Sequence, residues 1–200
     1  MPNLKVIINE LLQSCIEMLF NARFVIAMPL FFSTTFLLHQ GSPSPEYQLK
    51  AVFLFNFTQF IEWPANSFSF AQAPMVIGIL GNDPFGSYLK ETVSEEKSFG
   101  HQLLIQHYSN IEEVGACQVL FVNLAETKKT EQVITKLKGR NILTVSDSPD
   151  FLRLGGMIRF ITKDNKIKLQ INLGATDTAN LVVSSKLLRL MEIFDPQKNN

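Results

Sequence analysis

The segment 75–80 reads Met-Val-Ile-Gly-Ile-Leu, and Gly-Asn-Asp-Pro follows it at 81–84. An uninterrupted apolar run that contains β-branched residues predicts a strand buried on both faces. Gly81 and Asn82 favour a turn at its end. Asp83 can cap a helix that Pro84 opens, and we expect that helix to reach about Val93. A buried strand that leads through a tight turn into a helix is typical of an α/β sheet.

The same alternation of strand and helix extends to both sides of this segment. Apolar runs without charges predict strands, whereas apolar residues at helical spacing predict helices. The predicted elements here are helices over Glu46–Glu62 and Lys128–Lys138, and strands over His101–Tyr108, Cys117–Leu124 and Asn141–Val145.

The last third of the chain predicts a short helix, a hairpin and a closing helix. Ser-Asp-Ser-Pro at 146–149 repeats the cap-and-proline pattern, and Gly155-Gly156 ends the short helix. Strands over Met157–Ile161 and Ile167–Leu173 flank a turn at 163–166, and a helix is expected over Ala175–Phe194. The whole predicts one α/β domain over 46–194, with a mixed sheet flanked by helices in Rossmann-like layers, and a disordered tail over 195–200.

The N-terminal residues 1–41 are expected to be a leader. An uncharged, mostly apolar stretch over Phe24–Leu38 follows Arg23, which is the pattern of a secretory signal peptide and is short for a membrane span. Translation starting at Met18 would give a conventional short leader. Cleavage within the polar, Pro-rich residues 39–45 would leave an exported, periplasmic protein with no membrane span. An uncleaved anchor and a buried first helix are the alternatives.

Composition excludes several classes of function. Lysine plus arginine and aspartate plus glutamate balance at 18 each, which disfavours a nucleic-acid-binding protein. His101 and His107 lie six residues apart on one strand without clustered cysteines, so we expect no metal site. Cys15 falls in the leader, and Cys117, in an apolar run, is expected to be a buried, inert thiol. No G-x-S-x-G motif supports a hydrolase.

The predicted helix over Glu46–Glu62 is apolar on two sides. One side carries a set of residues that we expect to form a homodimer interface or a docking face for another protein, because burying each large ring stabilises by about 1.5–3 kcal/mol. This set comprises Leu49, Val52, Phe53, Phe60 and Trp63.

A ligand crevice is the second candidate site. In a doubly wound sheet, the loops at the carboxyl ends of the strands line the crevice where ligands bind. The candidate residues are Gly81, Asn82, Asp83, Ser146 and Asp147. Turn chemistry alone also explains these residue types, and neither loop has the spacing of a nucleotide-binding motif. No cofactor is expected.

Several segments in fixed order resemble one known family. They are Lys50–Leu54, Trp63-Pro64, Ile79–Gly86, Leu143–Asp147, Gly155–Ile158, Ile171–Leu173 and Ser184–Leu188. Residues 46–194 thereby resemble the YfiR family of periplasmic proteins. Members of that family often contain disulfides, which this chain cannot form internally once Cys15 is removed, so redox control of that kind is not expected here.

The resemblance implies a regulator rather than an enzyme. Such a protein holds a membrane-bound diguanylate cyclase inactive by binding the periplasmic region of the cyclase. The alternative is a periplasmic small-molecule-binding protein that serves a transport or receptor system through the crevice at the strand ends.

Overall fold

The computed structural model describes residues 43–164 and 166–195. The leader predicted over 1–41 and all but the first residue of the tail predicted over 195–200 lie outside these residues. Within them, the helices are α1 (Pro45–Phe60), α2 (Ser87–Val93), α3 (Thr127–Leu137), α4 (Leu173–Thr178) and α5 (Ser185–Leu188). The strands are β1 (Ile61–Glu62), β2 (Met75–Gly81), β3 (Lys97–Ser98), β4 (His101–Tyr108), β5 (Val119–Asn123), β6 (Leu143–Ser146), β7 (Ile158–Lys163), β8 (Lys166–Ile171), β9 (Val182–Val183) and β10 (Met191–Ile193).

The main sheet has eight strands in the order β10-β8-β7-β6-β5-β2-β4-β3. Its central strands are parallel, whereas β7 and β8 form the predicted antiparallel hairpin and β3 pairs antiparallel with β4. The predicted α/β fold with a mixed sheet is therefore confirmed. A separate two-stranded sheet joins β1 to β9.

Helices cover both faces of the main sheet. Ile77 and Ile79 of β2 pack in one core with residues of α1 and α2, whereas Val76 and Leu80 pack in a second core with residues of α3. All of β2 except Gly81 is buried, as its unbroken apolar sequence predicts. This layering brings α1 across one face of the sheet.

Helix α1 begins at Pro45, where a proline at the first helical position costs no hydrogen bond. It ends at Phe60, two residues earlier than expected. Ile61 and Glu62 leave the helix as β1, because they pair with Val183 and Val182 of β9.

The predicted closing helix over Ala175–Phe194 is wrong. Asn180 has a φ of 54°, which interrupts the helix. The residues that follow pair as β9 with β1 and as β10 with β8. Two further differences concern helices: the chain after Pro149 forms turns in place of a short helix, and α2 begins at Ser87 rather than Pro84.

Candidate functional site

Lys50 of α1 is buried, with an exposed fraction of only 1%. Its Nζ lies 2.6 Å from Oε1 of Glu46 and 2.8 Å from Oδ2 of Asp147, which follows β6. The same atom lies 4.3 Å from the centre of the Tyr47 ring. We call Glu46, Tyr47, Lys50 and Asp147 the Lys50 cluster. A buried cation requires such partners, because its desolvation costs several kcal/mol.

The contacts within the Lys50 cluster favour the ionised form of Glu46 and the protonated form of the Tyr47 hydroxyl. The Glu46 carboxylate accepts hydrogen bonds from Lys50 and from Oγ1 of Thr162 at 2.7 Å, and both lower its pKa. The Tyr47 hydroxyl donates to Oδ2 of Asp147 at 2.9 Å. Burial and this bond to a carboxylate raise the pKa of Tyr47. The cluster therefore holds α1 against the carboxyl edge of the sheet through charged and neutral donors.

The two loops predicted to form a ligand crevice do lie at this same edge. The Asn82 amide donates to the carbonyl of Asn123 at 3.1 Å, and Nδ2 of Asn123 donates to the carbonyl of Asn82 at 2.9 Å. These reciprocal bonds join the ends of β2 and β5. Gly81 has a φ of +92°, and a Cβ there would collide with the Asn123 carbonyl oxygen, so the two backbones approach closely.

The polar groups of the predicted crevice have partners within the chain. Oδ1 of Asp83 accepts from the Phe85 amide at 2.7 Å, and its Oδ2 lies 2.8 Å from Nε2 of His107. Ser146 is buried, and its hydroxyl donates to the carbonyl of Val122 at 2.7 Å. Asp147 belongs to the Lys50 cluster.

Tyr47 connects the two crevice loops. Its hydroxyl reaches Asp147 after β6, and its ring packs edge-on against Phe85 after β2, with 5.7 Å between ring centres. Sequence reasoning missed Tyr47, Lys50 and Asn123. Asn123 follows the strand-end rule already applied to Gly81, whereas no local pattern predicts that the charged Lys50 is buried.

The five predicted interface residues occupy two kinds of environment. Leu49 and Phe60 are exposed, at 43% and 37%, and Val52 is half-buried. The Phe53 ring packs 6.0 Å from that of Phe160. Nε1 of Trp63 donates to the carbonyl of Gln118 at 3.1 Å. The structure thus leaves Leu49 and Phe60 free to make new contacts, whereas Phe53 and Trp63 also support the domain.

The sequence profile of YfiR/HmsC-like proteins matches residues 47–192. The chain belongs to the YfiR/HmsC-like family. No curated protein shows significant similarity to the sequence.

Two segments that resemble this YfiR/HmsC-like family meet at the Lys50 cluster. Lys50 begins the segment 50–54 and Asp147 ends the segment 143–147, and these two residues form the ion pair. A third segment, Trp63-Pro64, is held by the Gln118 carbonyl. The segments that resemble the family therefore include residues that attach α1, and the chain at 63–64 that follows β1, to the sheet.

Two further properties concern only the described part of this YfiR/HmsC-like chain. Its helices are all too short or too polar to cross a bilayer. Its His, Cys, Asp and Glu side chains form no group of three or more arranged for a metal ion.

Cys117 is buried, and this burial raises its pKa to about 12.

Proposed function

We propose that this protein is an exported, periplasmic regulator without catalytic activity, which binds a membrane-bound diguanylate cyclase and holds it inactive. Membership in the YfiR/HmsC-like family supports this assignment. The contact is made through the outer side of α1, where Leu49 and Phe60 are exposed. The same side accounts for self-association as a homodimer.

The outer side of α1 lacks the charges that a solvated helix face normally carries. The helix has only two charged residues, Glu46 and Lys50, and Lys50 is buried. A surface helix ordinarily places charged and polar residues opposite its buried stripe. Here Leu49, Val52 and Phe60 stand beside the uncharged Asn56 and Gln59, which favours contact with another protein. This is the observation on which the proposal rests.

The small-molecule alternative has less support. A ligand pocket needs polar groups that converge on open space. Here Asp83, Ser146 and Asp147 are engaged with Phe85, Val122 and Lys50. We therefore assign the function to protein contact rather than to ligand capture at the carboxyl edge.

The double variant Leu49→Asp/Phe60→Asp tests the proposal. Both side chains are exposed, so the domain should retain its fold by circular dichroism. We expect the wild-type protein to co-purify with the periplasmic region of a membrane diguanylate cyclase encoded beside it, and to lower cyclic di-GMP in cells. The double variant should do neither.

Leu190→Asp is the matched control, because Leu190 is 69% exposed and lies outside α1. It should bind and repress like the wild type. A folded Leu49→Asp/Phe60→Asp protein that still captures the cyclase would contradict the use of α1. Light scattering of the same three proteins tests whether the homodimer uses this side.

A further inference from the structure

An aromatic cavity of about 480 Å³ opens at the amino edge of the sheet, opposite the Lys50 cluster. It lies where β2 begins at Met75 and β4 begins at His101. The residues that line it include Trp63, Phe68 and Phe99, which are aromatic, and the acidic Glu62. We call these four residues the aromatic cavity set.

Two of the three rings are held in place by the domain itself. Nε1 of Trp63 donates to Gln118, a buried residue whose side-chain amide also donates to the carbonyl of Ser67 at 2.7 Å. Phe68 stacks on the His101 ring, with 4.0 Å between ring centres and 6° between planes. His101 is fixed in turn, since its Nδ1 lies 2.6 Å from the carbonyl oxygen of Ala73. These rings are therefore preorganised.

The third ring, Phe99, occupies a backbone position that disfavours it. Ser98 pairs with His101, so Phe99 and Gly100 form a two-residue hairpin turn, with φ values of 48° and 87°. Both values fit a type I′ turn, whose first central position prefers Asn, Asp or Gly. A bulky residue at positive φ costs about 1–3 kcal/mol, and such strain concentrates at functional sites. Phe99 is nevertheless 60% exposed and gains little burial in return.

The electrostatic character of the cavity selects the charge of its ligand. Aromatic faces attract cations, and so does the Glu62 carboxylate. In the part of the chain that the structure describes, Glu62 makes no ion pair, and the wall of the cavity includes no lysine or arginine. The one basic side chain in the wall is His101, whose ring stacks on Phe68 and whose Nδ1 contacts the Ala73 carbonyl, so an anionic ligand would find only this imidazole as a counter-charge.

We propose that the aromatic cavity set binds a small organic cation, an amine or quaternary ammonium group with an apolar body. The rings contact the apolar body and the charged head, and Glu62 neutralises the charge. The site includes Trp63, one of the five predicted interface residues, but it contains neither Leu49 nor Phe60, to which the partner contact is assigned, and none of the crevice loops. It does not depend on the proposed partner, so each can fail without the other.

Choline and its neutral isostere neohexanol test this proposal directly. The chain contains one tryptophan, and Trp63 lines the cavity, so its fluorescence reports the site without a label. At constant ionic strength, choline chloride should shift the Trp63 emission with a saturable dependence, and sodium chloride should not. We expect choline to bind about 5- to 30-fold more tightly than neohexanol.

Two substitutions separate binding from folding. Phe99→Asn removes a ring but places a preferred residue in the turn, so it should raise the melting temperature while weakening choline binding about three- to tenfold. Glu62→Gln should weaken choline binding by a similar factor and leave neohexanol binding unchanged. Glu126→Gln, an exposed substitution at the start of α3, is the control and should leave both unchanged.

Three results would overturn the proposal. The first is equal affinity for choline and neohexanol. The second is a Glu62→Gln protein that binds choline as the Glu126→Gln control does. The third is a Phe99→Asn protein that is folded, more stable and undiminished in choline affinity.

Discussion

Lys50 and Asp147 form a partly buried ion pair, with 2.8 Å between Nζ and Oδ2, although they lie 97 positions apart in the chain. One residue lies in α1 and the other follows β6 at the carboxyl edge of the sheet. The pair fixes the position of α1, and thereby that of Leu49 and Phe60 on its outer side. Stability and the proposed partner contact thus depend on one attachment.

Removal of Asp147 should destabilise the domain strongly. Asp147→Ala leaves Lys50 with Glu46 alone and deprives the Tyr47 hydroxyl of its acceptor. We expect the free energy of unfolding to fall by about 2–4 kcal/mol, measured by urea denaturation. Asp150→Ala is the control in the same loop, because the side chain of Asp150 makes an exposed ion pair with Arg153, and its loss should cost less than about 1 kcal/mol. Equal losses in both variants would contradict the role of the Lys50 cluster.

The contribution of Glu46 should depend on pH. Its pKa is lowered in the folded protein by hydrogen bonds from Lys50 and Thr162. A carboxyl with a lowered folded pKa stabilises the protein above its unfolded pKa of about 4.3, and this stabilisation disappears as the pH falls through the folded value. Because the side chain is partly exposed, we expect less than about 1 kcal/mol.

Urea denaturation of the wild type and of Glu46→Gln measures this contribution. The wild type should be the more stable of the two at neutral pH, and the difference should shrink progressively as the pH falls below the unfolded pKa of about 4.3. A difference that grows as the pH falls would have the wrong sign for this mechanism.

The Cys117 thiol should be unreactive in the folded protein. It is 3% exposed, donates to the carbonyl of Val119 at 3.1 Å, and has a pKa raised to about 12 by burial. Since the thiolate is the reacting form, modification by a disulfide reagent should be slow and should accelerate in parallel with unfolding by urea. The Cys15→Ser variant makes Cys117 the one thiol measured. Prompt labelling of that folded variant would disprove the burial.

Gly81 should tolerate no side chain. Its φ of +92° is unfavourable for other residues, and a Cβ would also lie 2.9 Å from Cδ2 of Leu124. We expect Gly81→Ala to cost about 2–4 kcal/mol in thermal or urea unfolding. Gly115→Ala is the control, because no atom lies within 4 Å of the added Cβ, and it should change stability by less than about 0.5 kcal/mol.

Sequence patterns predicted the parts of this fold in which one local rule decides the structure. The apolar run before Gly81 is short and rich in β-branched residues, and it forms the predicted buried strand, while the turn near Asp164 forms the predicted hairpin. The segment around Val182 and Val183 was assigned to a helix because its apolar spacing fits one. Its pairing with β1 depends on residues 61–62, which lie far away in the sequence.

At the candidate site, too, local sequence patterns could not predict contacts between residues that lie far apart in the chain. Strand-end rules brought the loops at Gly81 and Ser146 to one edge, where the structure has them. No local rule distinguishes a buried lysine from a solvated one, because the difference lies in Asp147, which is distant in the sequence. Local patterns likewise could not identify the hydrogen-bond acceptors of the polar side chains in the crevice loops.

The distant partners of α1 determine when this domain can form. Tyr47, Lys50 and Glu46 bond to residues 100, 97 and 116 positions further along. Helix α1, the first helix of the described residues, therefore cannot form these bonds until most of the polypeptide has followed it. Contacts between such remote positions close slowly, because the intervening loop must first be ordered. Late docking of α1 is compatible with the proposed export of the chain, because it delays this part of the fold until residues 147–162 have been made.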